Sequence, residues 1–381
     1  MIILGIDTSC DDTSVAILKI DPPPKIWWGR KLKILSNIVS SQVKLHAKYG
    51  GVYPFLAKRE HQKNLPIVFE KALKRAKISV KEIDFIAVTV GPGLEPCLWV
   101  GVNFVKELAK KLRLPIIPIN HIEAHIMANW LPIGQTQNSK TELPFMEAKV
   151  KKRTESSSLL KTQNLFPAIC LVVSGGHSQL ILMNDFLKYK ILGETRDDAA
   201  GECLDKAARI LGLPYPGGPA IAAEAANLKP KTYNLTPKLP RPMLHQKNYD
   251  FSFSGLKTAV LYDFRDRPPK IRKSKEYIRA MSAEVQQAII DVLISKTLRA
   301  AEEYKAKTII LGGGVASNEE LREQFKEKIK KESPNIQYLI PNIQLCTDNA
   351  AMVGVAGYFH YLKGKKYNLE KIKANANLRI G

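Results

Sequence analysis

Hydrophobic and polar positions divide the chain into two halves that begin in the same way. Apolar runs at residues 2–7 and 15–20 flank the polar turn TSCDDTS, and apolar runs at 168–173 and 179–183 flank SGGHS. Short apolar runs bounded by small and polar residues predict strands. Each half is therefore predicted to begin with a strand hairpin. This repeat favours a duplicated, two-lobed α/β nucleotide-binding fold; the alternative is that two hairpins resemble each other by chance.

The remaining pattern predicts further strands and helices in alternation. Strands are predicted at residues 34–39, 83–90, 115–120, 308–314 and 337–341, and helices at 59–77, 96–111, 121–131, 197–212, 278–305, from 317, and at 349–362. We expect an N-terminal lobe at 1–120, a C-terminal lobe at 121–317, and a closing segment at 318–381 that carries a metal ligand and returns to the N-terminal lobe. Residues from about 134 to 164, rich in Ser, Thr, Lys and Gln, predict a flexible insertion.

The net charge of the chain predicts a polyanionic partner. The 381 residues include 58 Lys and Arg against 36 Asp and Glu, a net charge of +22. Such an excess favours binding to phosphates, although a basic surface can also serve solubility. The most basic segments are 25–33, which holds two tryptophans, 229–247 and 267–275. Each suits RNA binding or a solvated loop equally well.

Cysteine usage and hydropathy indicate a cytoplasmic protein. The five cysteines are an odd number and form no CxxC pair, which argues against disulfides or a zinc knuckle. No apolar run approaches the roughly 18 residues of a membrane span. The opening residues are expected to form a strand rather than a signal peptide.

Three turns carry candidate chemistry for a phosphate-bearing ligand. In the first turn, Asp7 or Asp11 can handle a metal or a proton, although an ordinary polar turn has the same composition. In the second, the Ser174–His177 turn has two glycines that allow close approach to a ligand. In the third, a glycine triplet precedes Asn318 at a helix start, which suits a nucleotide.

A histidine pair at 121 and 125 is the candidate metal site. On a helix, side chains four residues apart share a face and can bind one ion; otherwise they cap or pack. Ile122 follows the first histidine, so the protease pattern HExxH is absent. Asp348 is the candidate third ligand. Two histidines and one aspartate suit Fe²⁺ or Zn²⁺.

Taken together, these motifs resemble the tRNA N6-adenosine threonylcarbamoyltransferase family, once called the glycoprotease family. The resemblance runs in order through GIDTSCDDTSVAI, SSQVKLHAKYGGVYPFLAKREH, GPGLEPCLWVG, NHIEAHIMA, LVVSGGHSQL, GETRDDAAGECLDKAARILGLPYPGGP, FSFSGLKTAV, GGGVASNEELR and CTDNAAMVG. The SGGH and TRDDAAGE forms are similar to the bacterial branch.

The resemblance implies a two-lobed actin-like, sugar-kinase-like ATPase fold. It implies transfer of threonylcarbamoyl from threonylcarbamoyl-AMP to N6 of adenosine 37, in tRNAs that read codons beginning with adenine, with release of AMP. It also implies one divalent metal per subunit, with Fe²⁺ favoured over Zn²⁺, on His121, His125 and Asp348. A helper paralogue and a small P-loop ATPase are the implied partners.

By motif position, the adenylate would contact eight residues: Val173, Ser174, Gly175, Gly176, His177, Asp205, Gly218 and Asn318. Asp11 is our candidate for proton handling. The chain departs from the family pattern with Asp7 and Asp12 in place of glutamates, and Ala222 in place of an acidic residue found in some members. The acidic residue contacts the nucleotide in those members, and Ala222 leaves that contact open in this chain.

Three other functions fit parts of the pattern. A metalloprotease would need a glutamate directly after the first histidine. A small-molecule kinase of the same fold would phosphorylate a metabolite without tRNA. A non-catalytic RNA-binding scaffold would not need the metal ligands and glycine turns that the chain retains.

Overall fold

A computed structural model describes residues 1–20, 32–132, 165–228, 237–364 and 367–381. The predicted insertion, the tryptophan pair and residues 229–236 of the second basic segment lie outside these ranges. The described strands form two five-stranded sheets. The first sheet contains β1 (Ile2–Asp7), β2 (Asp12–Ile20), β3 (Leu32–Ser41), β4 (Phe85–Gly91) and β5 (Ile116–Asn120). The second contains β6 (Ala168–Val173), β7 (Ser178–Asp185), β8 (Lys188–Glu194), β9 (Thr308–Gly312) and β10 (Gln337–Leu339).

The two sheets have the same topology. Their strand orders are β3-β2-β1-β4-β5 and β8-β7-β6-β9-β10. In each, the first three strands of the lobe pair antiparallel, and two later strands add in parallel beside the first. The predicted duplication of the hairpin core is confirmed, because chance resemblance between two hairpins would not reproduce five strands in one order.

Helices cover the sheets and connect the parallel strands. They are α1 (Val43–His46), α2 (Pro54–Ala76), α3 (Glu95–Leu112), α4 (His121–Met127), α5 (Ala200–Ile210), α6 (Gly217–Ala226), α7 (Ser254–Asp266), α8 (Pro269–Arg272), α9 (Lys275–Glu303), α10 (Glu319–Glu332) and α11 (Ala350–Leu362). Within the described ranges, every helix is too short or too polar to cross a bilayer.

The segment from 318 to 381 is shared between the lobes. Strand β10 pairs in parallel with β9 in the second sheet, whereas α11 packs on the first sheet. A Cβ at Gly5 of β1 would lie 2.2 Å from the carbonyl oxygen of Ala350, and one at Gly354 would lie 2.6 Å from Leu18. Glycine at both positions therefore lets α11 lie directly on the first sheet. Within this segment, packing on the first sheet begins with α11.

Candidate functional site

The three predicted metal ligands meet between the lobes. Asn120 ends β5 and caps α4 by accepting hydrogen bonds from the amides of Ile122 and Glu123, so α4 starts at the edge of the first sheet. His121 and His125 then lie one turn apart, with ring centroids separated by 4.6 Å. Asp348 precedes α11 and approaches both rings: its Oδ1 is 3.4 Å from His121 Nε2 and 3.3 Å from His125 Nε2.

The cluster has the composition and burial of a cation site. One donor atom from each of His121, His125 and Asp348 lies within 4.8 Å of the others. Both nitrogens of His125 and Nδ1 of His121 are buried without a hydrogen-bond partner among the described residues. Buried polar atoms are otherwise almost always paired. Two imidazoles and a carboxylate that converge on one point are therefore suited to hold a divalent ion.

The charges in the cluster depend strongly on one another. Burial lowers the pKa of His121, but the charges of Asp348 and Asp7 outweigh it and raise this pKa to about 9. Burial dominates at His125, whose pKa is lowered. Burial by itself would raise the pKa of Asp348. The charges of His121 and His125 and their hydrogen bonds with the carboxylate outweigh burial and hold this pKa well below its usual range. Asp348 is thus ionised, as a metal ligand must be.

Two further acids of the first hairpin turn face the same space. Burial, followed by the charge of Asp348, raises the pKa of Asp11. Burial raises the pKa of Asp12 to about 7. Asp7 is fully buried, and its Oδ2 lies 3.7 Å from His121 Nδ1. The sequence indicates either Asp7 or Asp11 as a metal or proton group. In the structure Asp7 lies against His121 Nδ1, whereas Asp11 lines the wall of a cleft.

This cleft has a volume of about 660 Å³ and opens between the lobes. The N-terminal lobe contributes Ser9–Asp12 and Gly50–Val52 to its wall, and the C-terminal lobe contributes Ser174–His177 with Asp205. His121 and Asp348 line the same cleft. The two hairpin turns and the metal cluster therefore border one ligand-sized space.

The second hairpin turn is built to present backbone amides. The Ser174 amide donates to the His177 carbonyl at 2.8 Å, and the His177 amide donates to Ser174 Oγ at 3.1 Å. Gly175 and Gly176 at the tip are exposed to the cleft. Burial, with the nearby histidines 121 and 125, lowers the pKa of His177 to about 4, which keeps this ring neutral near pH 7.

The glycine triplet at the end of β9 has two different roles. A Cβ at Gly312 would lie 2.8 Å from the carbonyl oxygen of His125, and one at Gly313 would lie 2.2 Å from that of Val173. Gly313 also has a φ of 89°, which disfavours other residues. Gly314 alone has open space beside it and lines the cleft. The first two glycines thus hold α4 and β6 close, and the third borders the ligand space.

Three of the eight residues predicted to contact the adenylate are not on the cleft wall. Val173 is fully buried in β6. Gly218 lies in the first turn of α6, and the amide before it, at Gly217, donates to Asp205 Oδ1 at 2.6 Å. Asn318 caps α10 through Leu321 and donates to Gln286 at 2.8 Å. The remaining five, Ser174, Gly175, Gly176, His177 and Asp205, line the cleft with Asp11.

Several wall residues escaped the sequence analysis. Ser9 Oγ donates to Asp348 Oδ2 at 3.4 Å. Lys206 and Arg209 of α5 and Tyr215 border the cleft from the C-terminal lobe. Arg209 alone carried a sequence signal, because it lies four residues after Asp205 and so one helical turn away on the same face. Pro92–Leu94 also lines the cleft, and the GPG motif after β4 could have indicated it.

Comparison with known proteins identifies close relatives over the whole chain. A family model described as tRNA N6-adenosine threonylcarbamoyltransferase matches residues 33–148 and 153–355. A protein of that name from Thermosipho africanus is 43% identical over 380 residues, covering 100% of each chain. One from Geobacillus kaustophilus is 42% identical over 378 residues, covering 99% of this chain and 96% of its own.

A solved structure supports the fold independently. Full-length HypF in its phosphate- and nucleotide-bound form aligns with a TM-score of 0.54 at 11% identity, covering 96% of this chain and 47% of HypF. At this identity the likeness concerns the fold alone. Together with the repeated sheet topology, it confirms the predicted two-lobed actin-like architecture.

Proposed function

The chain belongs to the tRNA N6-adenosine threonylcarbamoyltransferase family and is a transferase that modifies an adenosine of tRNA, and from this premise we propose a donor, an acceptor position and a site. The donor is threonylcarbamoyl-AMP. The acceptor is N6 of adenosine 37, in tRNAs that read codons beginning with adenine, and AMP is the leaving group. The observation that carries the proposal is that His121, Asp348 and the Ser174–His177 turn line one cleft.

The metal would be held by His121, His125 and Asp348. Their unpaired nitrogens and the ionised carboxylate fit a divalent ion. Two histidines and one carboxylate suit Fe²⁺ or Zn²⁺, and the family resemblance favours Fe²⁺. When bound there, such an ion supplies Lewis acidity and a fixed point for a donor oxygen. The described residues contain one group of potential ligands of this kind, so we expect one ion per subunit.

The side chains and amides of the chain would orient both substrates. The adenosine N6 is a weak nucleophile because its lone pair is delocalised into the ring, so the cleft must hold the reacting atoms close and in line. The amides of Gly175 and Gly176 at the tip of the Ser174–His177 turn would donate to phosphate or carbonyl oxygens as negative charge develops. Asp11, with its raised pKa, would accept the proton that N6 loses. A carboxyl whose pKa lies closer to neutrality transfers protons more readily at pH 7.

The cluster does not have the arrangement of a protease centre. Glu123 is the acidic residue nearest in sequence to both histidines, and two residues along a helix place it on the opposite face. Its carboxylate accepts hydrogen bonds from Tyr189 at 3.1 Å and His360 at 2.8 Å. Glu123 is therefore occupied behind the cluster and is not available as a base at the metal.

We further propose a helper paralogue and a small P-loop ATPase as partners, and a cytoplasmic location where tRNA is modified. The net charge of +22 suits a tRNA substrate.

Mass spectrometry of tRNA nucleosides tests the proposal. Unmodified tRNA is incubated with the protein, its partners and threonylcarbamoyl-AMP, and the expected product is threonylcarbamoyladenosine together with one equivalent of AMP. A matched tRNA with guanosine at position 37 should remain unmodified. Absence of the product with the first tRNA would refute the proposed donor. Equal product with both tRNAs would refute the proposed acceptor position.

A further inference from the structure

Two exposed tyrosines stand beside the mouth of the cleft. Tyr49 is 60% exposed and Tyr53 is 56% exposed. Their ring centroids are 6.1 Å apart and their planes differ by 28°, a stacked arrangement. The residues between them, Gly50–Val52, line the cleft itself. Two neighbouring aromatic rings that are mostly exposed beside a ligand cleft indicate a binding surface.

The backbone beneath these rings is firmly anchored. The Tyr53 amide donates to Nδ1 of the buried His46 at 3.3 Å, and His46 Nε2 bonds Gln42 Oε1 at 3.1 Å. Gln42 in turn donates from its side chain to the Ala57 carbonyl at 3.3 Å and from its amide to the Asp11 carbonyl at 3.1 Å. The segment that carries the rings is thus tied to the turn that carries the proposed proton acceptor.

The surroundings of the rings are cationic. Residues 42–59 contain Lys44, Lys48, Lys58 and Arg59 and no acid. Across the mouth, the exposed Arg209 of the C-terminal lobe lies beside Gly50, since a Cβ there would be 3.7 Å from both its Cδ and its guanidinium. None of these five cations forms an ion pair within the described ranges. A rim of unpaired cations around aromatic faces matches single-stranded nucleic acid, whose phosphates and bases alternate.

We propose that Tyr49 and Tyr53 form a stacking platform for a nucleotide that flanks the target adenosine in the anticodon loop. This inference rests on the proposed function, because it takes tRNA as the substrate. For N6 to reach Asp11, the adenosine must leave the loop stack and enter the cleft, which leaves a neighbouring base without a stacking partner. The paired rings supply the lost stacking, and the lysines with Arg209 contact the backbone phosphates.

The test compares Tyr49→Ala/Tyr53→Ala with Tyr49→Phe/Tyr53→Phe in the full chain with its partner proteins. The alanine pair removes both faces, and we expect the KM for tRNA to rise about tenfold or more. The phenylalanine pair keeps the faces, and its KM should stay within about twofold of the original. The KM for threonylcarbamoyl-AMP should be unchanged in both. Tyr262→Ala removes an equally exposed tyrosine (59%) from α7 and is the matched control.

A fluorescent base separates stacking from a merely structural role. With 2-aminopurine next to position 37, binding of tRNA to the original protein and to the phenylalanine pair should quench the fluorescence. The alanine pair should bind without this quenching. If the alanine pair does not fold, Tyr49→Leu/Tyr53→Leu keeps apolar volume without an aromatic face and has the same expected result.

Two outcomes would overturn the platform. One is an unchanged KM for tRNA and unchanged quenching in the alanine or leucine pair. The other is weaker capture of the helper paralogue with a normal KM for tRNA at saturating helper, which would make the rings a protein-docking surface. A failure of the proposed function is distinguishable, because the original protein would then form no modified nucleoside, whereas the quenching assay needs only binding.

Discussion

Glu123 and His360, 237 residues apart in the chain, are joined by a hydrogen bond of 2.8 Å between His360 Nε2 and Glu123 Oε2. This bond connects α4, which carries the two histidines of the cluster, to the last turn of α11, whose first turn follows Asp348. His360 Nδ1 lies 2.8 Å from the hydroxyl of Tyr367. The buried network thereby holds together the two helices that position the three proposed ligands.

Replacing Glu123 should weaken both the fold and the binding of a metal ion at His121, His125 and Asp348. In Glu123→Ala, the buried His360 Nε2 and the Tyr189 hydroxyl lose their acceptor, which should lower the free energy of unfolding by about 3 kcal/mol. Cation affinity should fall roughly tenfold to a hundredfold, as for other residues that support metal ligands. Urea unfolding and titration against a chelator measure the two effects.

The matched control for this change is Glu107→Ala, which truncates an exposed glutamate of α3. It should leave both quantities nearly unchanged. A Glu123→Ala protein with the same stability and cation affinity as the Glu107→Ala protein would show that the network does not position the ligands.

Removal of both imidazoles tests the metal itself. The double variant His121→Ala/His125→Ala leaves Asp348 as a single ligand, so the purified protein should contain no stoichiometric metal and should lose at least about a hundredfold in transfer rate. Elemental mass spectrometry of protein purified without oxygen measures the metal and distinguishes iron from zinc. His245→Ala, at an exposed position, is the control. Near-normal transfer by a metal-free double variant would end the proposal of a metal-dependent enzyme.

The same substitution should destabilise the protein much more at Gly313 than at the adjacent Gly314. Gly313→Ala forces a Cβ to within 2.2 Å of the Val173 carbonyl at a φ of 89°, and should cost about 2 kcal/mol or more of stability. Gly314→Ala meets no atom within 4 Å and should change stability by less than about 1 kcal/mol. Thermal unfolding of both variants measures the two losses of stability. Equal losses would contradict the close approach of β9 to β6.

The sequence predicted the parts of this site that depend on local spacing. Two histidines one helical turn apart share a face whatever surrounds them, and a repeated hairpin pattern encodes a repeated topology. Contacts between distant segments carried no such signal. Nothing in the pattern connected Glu123 with His360, or showed that Gly312 is needed because the His125 backbone lies against it.

The same limit explains the placement of Asn318. Its position before a predicted helix indicated a cap or a nucleotide contact, and both of its side-chain atoms are engaged, with Leu321 and with Gln286. Gln286 lies on α9, 32 residues earlier, so the pairing follows from how α9 and α10 pack and could not be read from spacing. A role for Asn318 toward the adenylate stays a prediction.

Asp12 should make the metal-free protein less stable as pH rises. Its pKa is raised by burial from 3.8 to about 7, so between these values the folded state binds a proton that the unfolded state has released. The stability that this proton supplies is complete below about pH 4 and is lost as pH rises through about 7. Asp12→Asn should reduce the fall in stability over this window, by an amount of the order of 3 kcal/mol.

Urea unfolding of chelator-treated protein at several pH values measures how the free energy of unfolding changes with pH. Asp84→Asn, at an exposed position outside the cleft, serves as the control and should keep the original pH dependence of stability. If Asp12→Asn leaves the pH dependence of the free energy of unfolding between pH 4 and 7 unchanged, Asp12 is ionised in the folded protein and burial does not raise its pKa.

Asp11 should control the chemical step rather than binding. Asp11→Asn keeps the size and polarity of the side chain but cannot accept a proton, so kcat should fall about a hundredfold to a thousandfold. Metal content and the KM for tRNA should change little, because Asp11 is not a member of the metal cluster. Asp266→Asn, at an exposed position of α7, is the control.

The pH profile of kcat separates a proton acceptor from a group that merely shapes the cleft. In the original protein, kcat should rise with pH as Asp11 loses its proton, at a pKa above that of an ordinary aspartate because of burial and the charge of Asp348. In Asp11→Asn this rise should disappear, since no proton remains to be lost at that position. A variant that is slower but keeps the same acidic limb would assign the proton to another group of the cleft, with Asp12 the nearest acid whose pKa is also raised.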